Sequence, residues 1–269
     1  MTNAEDVLVE DRDGVLYVTL NRPERRNALS ASVIERLEDV VTYVADHPNE
    51  VRAVVLRGAE GVFCAGGDIK EFKSVFQEGG SDHSAVAANN RRGGAVFTAL
   101  DRLPTVLIAA VEGGAMGGGV GLAAVADITL ATADTRFSLT ETTLGIPPAQ
   151  ISPFVTARVG QHQARALMLT AARIDAQEAH RVGLVDRVVA DSAALDDAVD
   201  DVLAQIRRCA PSANAESKAL VHMAAITPLE DLLDVAAGKF ADAMLGAEAR
   251  EGIRAFLGKS APDWSAAKV

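Results

Sequence analysis

Strand-like and helix-like runs alternate along the chain up to about Asp191, and beyond that point the pattern becomes almost entirely helical. The β-rich runs occupy residues 7–9, 15–20, 51–56, 105–111 and 127–132. The first two are separated by a short acidic turn that contains Gly14, which predicts an N-terminal hairpin. Strands that alternate with helices on this scale predict an α/β layer fold, followed here by a helical region.

Two segments between these strands are expected to differ in order. Ser30 is a good N-cap for a helix through about Ala45, because its hydroxyl can accept unpaired amides of the first turn and an apolar stripe follows it. Residues 71–90, rich in Ser, Gly and polar side chains, are expected to form a mobile loop and helix. Helical character resumes over residues 91–100. Flexibility over residues 71–90 would suit a pocket wall.

Composition limits the class of protein. The 269 residues, 49% of them hydrophobic and 23% charged, suffice for one large domain or one domain with a small appendage. A net charge of -11 argues against nucleic-acid binding. Cys64 and Cys209 alone provide neither a disulfide framework nor a metal cluster, and they fit a reducing cytoplasm. Residues 1–13 lack the apolar core of a targeting signal, so a cytoplasmic protein without a membrane segment is expected.

Two glycine-rich segments, residues 63–70 and 112–121, each follow a predicted strand. Paired glycines let backbone amides approach a ligand, and the second segment can place unpaired amides at a helix start, facing an anion or a developing oxyanion. The first segment also fits a simple strand-to-helix turn, and the second also fits close helix packing. A dinucleotide-binding interpretation fails, because Leu122 stands where the third glycine of that pattern is required.

Glu141 is a third candidate, since it lies among apolar and hydroxyl neighbours over residues 137–147. Burial there would raise its pKa and suit it to proton transfer near neutrality. Taken alone, Glu141 also fits an exposed glutamate at a helix start.

Together, in this order and at these separations, the segments resemble the crotonase (enoyl-CoA hydratase/isomerase) family across nearly the whole chain. Residues 21–29 look like the family's opening motif, residues 63–70 like its first oxyanion-hole strand, and residues 113–122 like its second one. The resemblance implies a crotonase-like spiral of strand–strand–helix units over residues 1–200. A helical oligomerisation region over residues 201–269 would build a homotrimer, or a hexamer of two trimers.

The resemblance also assigns roles to individual residues. It implies that the backbone amides of Gly67 and Gly118 hold a thioester oxygen and that Glu141 moves protons. Coenzyme A is implied as the carrier of the acyl substrate, with no tightly bound cofactor and no metal. Its implied contacts are Arg25, Arg26, Ala65, Asp68, Ile69 and, from a neighbouring subunit, Lys259. For each basic residue, a solvated surface charge remains an alternative.

The sequence departs from the two-glutamate hydratases at Gly121, where those enzymes carry their other carboxylate. Gln150 or Ser152 could supply the hydrogen bond that this carboxylate would have made. Residues 144–155 replace a glycine-rich turn common in the family. With residues 119–122, they resemble the subgroup that hydrates branched methylglutaconyl- and isohexenylglutaconyl-CoA thioesters.

Three functions therefore stay open at this point. Hydration of a 2-enoyl-CoA thioester is the leading hypothesis. Isomerisation of an enoyl-CoA double bond is the alternative, because a lone glutamate suffices for it. A CoA-thioester-binding protein without efficient catalysis is the third, and the presence of Glu141 argues against it. Acyl-chain identity and the choice between trimer and hexamer stay open.

Overall fold

The computed structural model describes residues 5–70 and 82–265. Its strands are β1 (Val7–Arg12), β2 (Val15–Leu20), β3 (Ala53–Gly58), β4 (Val106–Val111), β5 (Gly114–Met116), β6 (Ile128–Thr132), β7 (Arg136–Ser138), β8 (Ile174–Asp175) and β9 (Arg187–Val189). Its helices are α1 (Ala31–Asp46), α2 (His83–Asp101), α3 (Gly118–Val125), α4 (Ser152–Thr170), α5 (Ala176–Arg181), α6 (Ser192–Arg207), α7 (Pro211–Ala224), α8 (Leu229–Leu245) and α9 (Ala247–Leu257). Short 3-10 helices lie at Pro23–Arg25, Ala59–Gly61, Glu141–Leu144 and Asp263–Ser265.

A six-stranded sheet in the order β1-β2-β3-β4-β6-β9 lies at the centre of the fold. β1 and β2 are antiparallel, and Asp13 and Gly14 form the turn between them with φ of 54° and 76°. The remaining neighbours in this sheet pair in parallel. A smaller sheet contains β5, β7 and β8. The predicted hairpin and the predicted α/β class are therefore confirmed.

Helices cover both faces of the large sheet. One face packs against α1 through Val33 and Leu37, within a cluster that also includes parts of α2, α3 and α4. The other face packs against α6, where Leu195 and Val199 join Val55 of β3 in a separate cluster. Strands buried on both faces need continuous apolar sequence rather than alternation, and this explains the uninterrupted runs of β3 and β4.

The first helix begins where the sequence predicts. The Ser30 hydroxyl accepts a hydrogen bond from the Val33 N–H at 3.3 Å, and α1 then runs to Asp46. The next strand starts two residues later than the predicted position 51. Arg52 lies directly before this strand. Its N–H donates to Gly14 O at 2.7 Å, and its guanidinium donates to Cys209 O at 2.7 Å.

The helical region predicted beyond Asp191 is confirmed by helices α6 to α9. α7 and α8 bury none of their residues, so large apolar side chains there face outward. Of the predicted loop and helix at residues 71–90, residues 71–81 lie outside the described residues, and α2 already begins at His83. Over residues 5–70 and 82–265, no helix is both long enough and apolar enough to cross a bilayer.

Candidate active site

Asn27 fixes the conformation of the loop that follows β2, here called the opening loop. Its side chain is completely buried and its φ is 55°. The Asn27 Oδ1 accepts the Arg22 N–H at 2.9 Å, while Nδ2 donates to Ala59 O at 3.0 Å and Val62 O at 2.6 Å. One amide therefore satisfies three backbone groups and fixes the loop that follows β2 against the segment that follows β3. Asparagine suits this position, because it tolerates the left-handed region and carries both a donor and an acceptor.

The first glycine segment is anchored to this loop. Leu29 donates its N–H to Gly66 O at 2.7 Å and accepts the Asp68 N–H at 3.1 Å, so Leu29 and Gly67 form a parallel bridge. Gly66 has φ of 89°, and a β-carbon there would lie 2.7 Å from Met116 O. Glycine is therefore required at position 66 both by its backbone conformation and by the close approach of the second glycine segment.

The second glycine segment turns sharply into α3. Gly117 has φ of 49° and donates its N–H to Ser138 O at 2.9 Å, while Gly118 is the first residue of the helix. A β-carbon on Gly66 would lie 3.3 Å from Gly118 N, so the two segments face each other. Within residues 5–70 and 82–265, the N–H groups of Gly67 and Gly118 have no hydrogen-bond acceptor. Two amides on facing segments can therefore bind one external oxygen.

Glu141 begins the 3-10 helix that follows β7 and lies against the second glycine segment. A β-carbon on Gly117 would lie only 2.8 Å from Glu141 Oε1. The other oxygen, Oε2, is buried, and no partner for it exists in the described part of the chain. Burial raises the pKa of Glu141, and a hydrogen bond from its own backbone N–H offsets part of this rise. The carboxyl is thus half-buried, short of partners and poised to exchange a proton.

The space beside Gly121 is occupied by apolar side chains. A β-carbon on Gly121 would lie 2.4 Å from Ile151 Cγ2 and 2.9 Å from Phe97 Cε1. Both apolar side chains are buried. Within residues 5–70 and 82–265, the volume that a carboxylate at position 121 would need is therefore already filled.

Gln150 and Ser152 make their hydrogen bonds elsewhere. The Gln150 amide donates to Asn90 Oδ1 at 2.8 Å, and the Ser152 hydroxyl donates to Ala149 O at 3.1 Å. Neither bond involves Glu141. The expectation that one of these residues replaces the missing carboxylate is not supported by these contacts.

The residues predicted to contact coenzyme A divide into two groups. Arg25, Arg26 and Ile69 are exposed, and Ala65 donates its N–H to Arg26 O at 3.0 Å, so these four lie near one another at the opening loop. Lys259 is exposed just past the end of α9.

Asp68 belongs to the same region, but its carboxylate is already paired. It lies 3.1 Å from Arg22 Nη1 and accepts the Lys70 N–H at 3.0 Å. Burial alone would raise the pKa of Asp68, but these two partners together outweigh burial and hold the pKa below its usual value. Arg22 and Asn27 are site residues that the sequence argument did not single out. Their presence in the opening motif, residues 21–29, was the available signal for them.

The raised pKa of Glu141 predicts a pH-dependent stability. The unfolded chain ionises this carboxyl at lower pH than the folded chain, so the folded state loses stability as pH rises between the two pKa values. Glu141→Gln cannot ionise. We expect its Tm to exceed that of the unsubstituted protein at about pH 7 and to match it at about pH 4. Thermal melts over this pH range measure the difference, and an equal gap at every pH would contradict it.

Comparison with known proteins agrees with this geometry. The family model described as enoyl-CoA hydratase/isomerase matches residues 10–267. Among solved structures, Pseudomonas aeruginosa AtuE is 48% identical with a TM-score of 0.94, over 97% of this chain and 100% of that one. An enoyl-CoA hydratase/isomerase from Marinobacter aquaeolei is 40% identical with a TM-score of 0.94, over 98% of this chain and 100% of that one. The short-chain-enoyl-CoA hydratase of Clostridium acetobutylicum is 32% identical, over 94% of this chain and 95% of its own length.

These matches confirm the resemblance that the three motifs predict and the crotonase-like fold that it implies. The resemblance to the glutaconyl subgroup stays a prediction. Because the family model and the solved structures extend over almost the whole chain, this protein is an enzyme that belongs to the enoyl-CoA hydratase/isomerase family.

Proposed function

We propose that this protein hydrates a 2-enoyl-CoA thioester with Glu141 as its single proton-transferring side chain. The observation that carries the proposal is the convergence of a buried, unpartnered carboxyl oxygen with two facing glycine segments whose amides lack acceptors. Relatives named as enoyl-CoA hydratases support the reaction type.

The amides of Gly67 and Gly118 would bind the thioester oxygen. Addition of water to the β-carbon moves an electron pair through the enoyl system onto that oxygen, and donors placed in advance stabilise the charge. Removing one such donor from an oxyanion hole typically costs about 100-fold or more in rate. Because both donors are backbone groups, replacement of either glycine tests them only through a change of backbone geometry.

Glu141 would serve as base and then as acid. As the carboxylate, it accepts a proton from water while the water oxygen bonds to the β-carbon, which forms the enolate. Glu141 then delivers that proton to the α-carbon, and the enolate electron pair forms the new C–H bond. The net change is the addition of one water molecule, and the carboxylate is restored. A carboxyl whose pKa is raised by burial above its ordinary value suits both halves of this cycle.

Double-bond isomerisation is the alternative, and the filled space at Gly121 favours it specifically. Ile151 and Phe97 leave no room there for a second carboxylate to orient water. In the isomerase reaction, Glu141 would remove a proton from the α-carbon of a 3-enoyl thioester and return it at the γ-carbon. The same oxyanion amides would stabilise the same kind of enolate.

Turnover of three thioesters separates these functions: crotonyl-CoA, 3-methylglutaconyl-CoA and a 3-enoyl-CoA. Formation of 3-hydroxybutyryl-CoA from crotonyl-CoA would establish hydration, and a preference for the glutaconyl thioester would support the predicted subgroup. Migration of the 3-enoyl double bond without water addition would replace hydration with isomerisation. Binding of all three without turnover would leave a thioester-binding protein.

For the coenzyme, we propose that Arg25 and Arg26 lie near its phosphates and that the backbone around Ala65, Asp68 and Ile69 receives the adenine. The two arginines are exposed at the opening loop, beside the first glycine segment. The Asp68 carboxylate, paired with Arg22, would hold the first glycine segment against the opening loop rather than contact the ligand. Lys259 would contribute from a neighbouring subunit.

We further propose that residues 201–269 form the oligomerisation region of a homotrimer or a hexamer. The supporting observation is the exposed apolar surface of the last helices, where Phe240 is 68% exposed, Phe256 82% and Leu257 76%. Contiguous apolar surface of this kind typically marks an interface. Sedimentation equilibrium of the full chain would give a mass of three or six chains, and a monomer at micromolar concentration would refute the assembly.

A further inference from the structure

Gln150 reaches across from the loop before α4 and docks on α2. Its amide donates to Asn90 Oδ1 at 2.8 Å. The docking depends on the absence of a side chain at Gly94, because a β-carbon there would lie 2.0 Å from Gln150 Oε1. Gly94 is buried although its neighbours at 93 and 95 are not. The helix therefore carries a notch at Gly94 that the Gln150 amide fills.

The notch lies on the same face of α2 that approaches the second glycine segment and α3. Asn90, Gly94 and Phe97 follow one another at helical spacing, so they share one face. Phe97 in turn approaches α3, since a β-carbon on Gly118 would lie 3.8 Å from Phe97 Cζ. From Phe97 to Asn90 this face extends about 10 Å along the helix axis. One helix face thus links the proposed oxyanion glycine to the Gln150 amide.

The character of this face changes along its length. Near Gly118 and Gly121 it is apolar, formed by Phe97 together with Ile151. At the other end it is polar and reaches solvent, formed by the paired amides of half-buried Gln150 and exposed Asn90. An acyl group whose thioester oxygen is held at Gly118 would first meet apolar carbon and then a hydrogen-bonded amide pair. A longer alkyl chain would have to displace that pair.

Resting on the proposed function, we propose that Gln150, held by Asn90 in the notch at Gly94, closes the acyl end of the site and limits the length of the acyl chain that the enzyme accepts. Gln150 is then a specificity-determining residue. The ligand class is a short or compact acyl-CoA thioester. Straight chains that extend past the amide pair are disfavoured, because they would have to break the Gln150–Asn90 hydrogen bond and push the Gln150 amide out of the notch at Gly94.

The test is a chain-length series on the full-length protein. Dissociation constants for butyryl-, hexanoyl- and decanoyl-CoA would be measured by calorimetry, and kcat/KM would be measured for the matching 2-enoyl thioesters. For Gln150→Ala we expect the preference for decanoyl over butyryl to rise about tenfold or more, with butyryl binding unchanged. Asn90→Ala, which releases the amide without removing it, should shift the same ratio in the same direction by less. Gln177→Ala, at an exposed position on α5, is the matched control and should shift nothing.

The two readouts distinguish failure of this inference from failure of the proposed reaction. Binding of the saturated thioesters does not require turnover, so a length limit relaxed in Gln150→Ala stands even if the protein hydrates none of the enoyl thioesters. A chain-length preference that Gln150→Ala leaves unchanged, or an equal loss of affinity for all three ligands, would overturn the inference while hydration remains. Absence of acyl-CoA binding in the unsubstituted protein would overturn both.

Discussion

Glu141→Gln should lower kcat for hydration by about 100- to 10,000-fold and leave the affinity for a saturated acyl-CoA within about a factor of three. Glutamine keeps the shape of the side chain but can neither accept a proton from water nor donate one to the α-carbon. The proposed oxyanion donors and the Gln150–Asn90 pair belong to other segments, so substrate binding should persist. Steady-state kinetics on the best thioester of the panel, with calorimetry on its saturated analogue, measure the two effects separately.

The matched control for this substitution is Glu35→Gln. Glu35 is an exposed glutamate on α1, so the same change of charge there should leave kcat unaltered. Turnover of Glu141→Gln within a factor of two of the unsubstituted enzyme would remove Glu141 from the mechanism. A parallel loss of acyl-CoA binding would instead make it a binding residue.

Gly121→Glu should destabilise the protein rather than improve hydration. Its β-carbon would lie 2.4 Å from Ile151 Cγ2, and its carboxylate would have to ionise among buried apolar side chains. Overpacking alone costs about 1–3 kcal/mol, and an unpaired buried charge adds to this, so a loss of about 3 kcal/mol or more in the free energy of unfolding is expected. Urea denaturation measures the loss as a lower midpoint.

Two further variants distinguish the effect of steric overlap on stability from the effect of a buried charge at this position. Gly121→Ala should also destabilise, although alanine normally stabilises a helix relative to glycine by about 0.5–1 kcal/mol. Adding Ile151→Ala to Gly121→Glu removes the nearest clashing atoms and should recover part of the midpoint. A Gly121→Glu protein as stable as its parent, with faster hydration, would show that the two apolar side chains yield readily and that the enzyme lacks only the carboxylate.

Much of the architecture could be predicted because it depends on local pattern. The hairpin at Gly14, the Ser30 cap and the helices after Asp191 each follow from residues within a few positions of one another. The two glycine segments could also be placed, because each directly follows a strand. β3 and β4 are parallel neighbours, so their carboxyl ends bring both segments to one edge.

The remaining details of the site depend on contacts between distant parts of the chain. The sequence shows that Gly121 lacks a carboxylate, but the filling of that space by Ile151 follows only from how α3 and α4 pack. Likewise, a glutamine at 150 could have turned toward Glu141. It turns toward Asn90 because α2 carries a glycine at 94. Such choices between nearby partners are set by tertiary geometry.

The parallel pairing of β3 with β4 also bears on how this enzyme could acquire new specificities. Each glycine segment follows its own strand at the same sheet edge, whereas Gly121 lies on α3 and Gln150 and Ile151 lie in the loop before α4, all outside the six-stranded sheet. Substitutions at those three positions can therefore change the packing beside Glu141 without shifting any strand register. Evolutionary divergence in this lineage should accordingly accumulate in the loop that follows the Glu141–Leu144 turn and on the facing side of α2, while the strands and Glu141 change little.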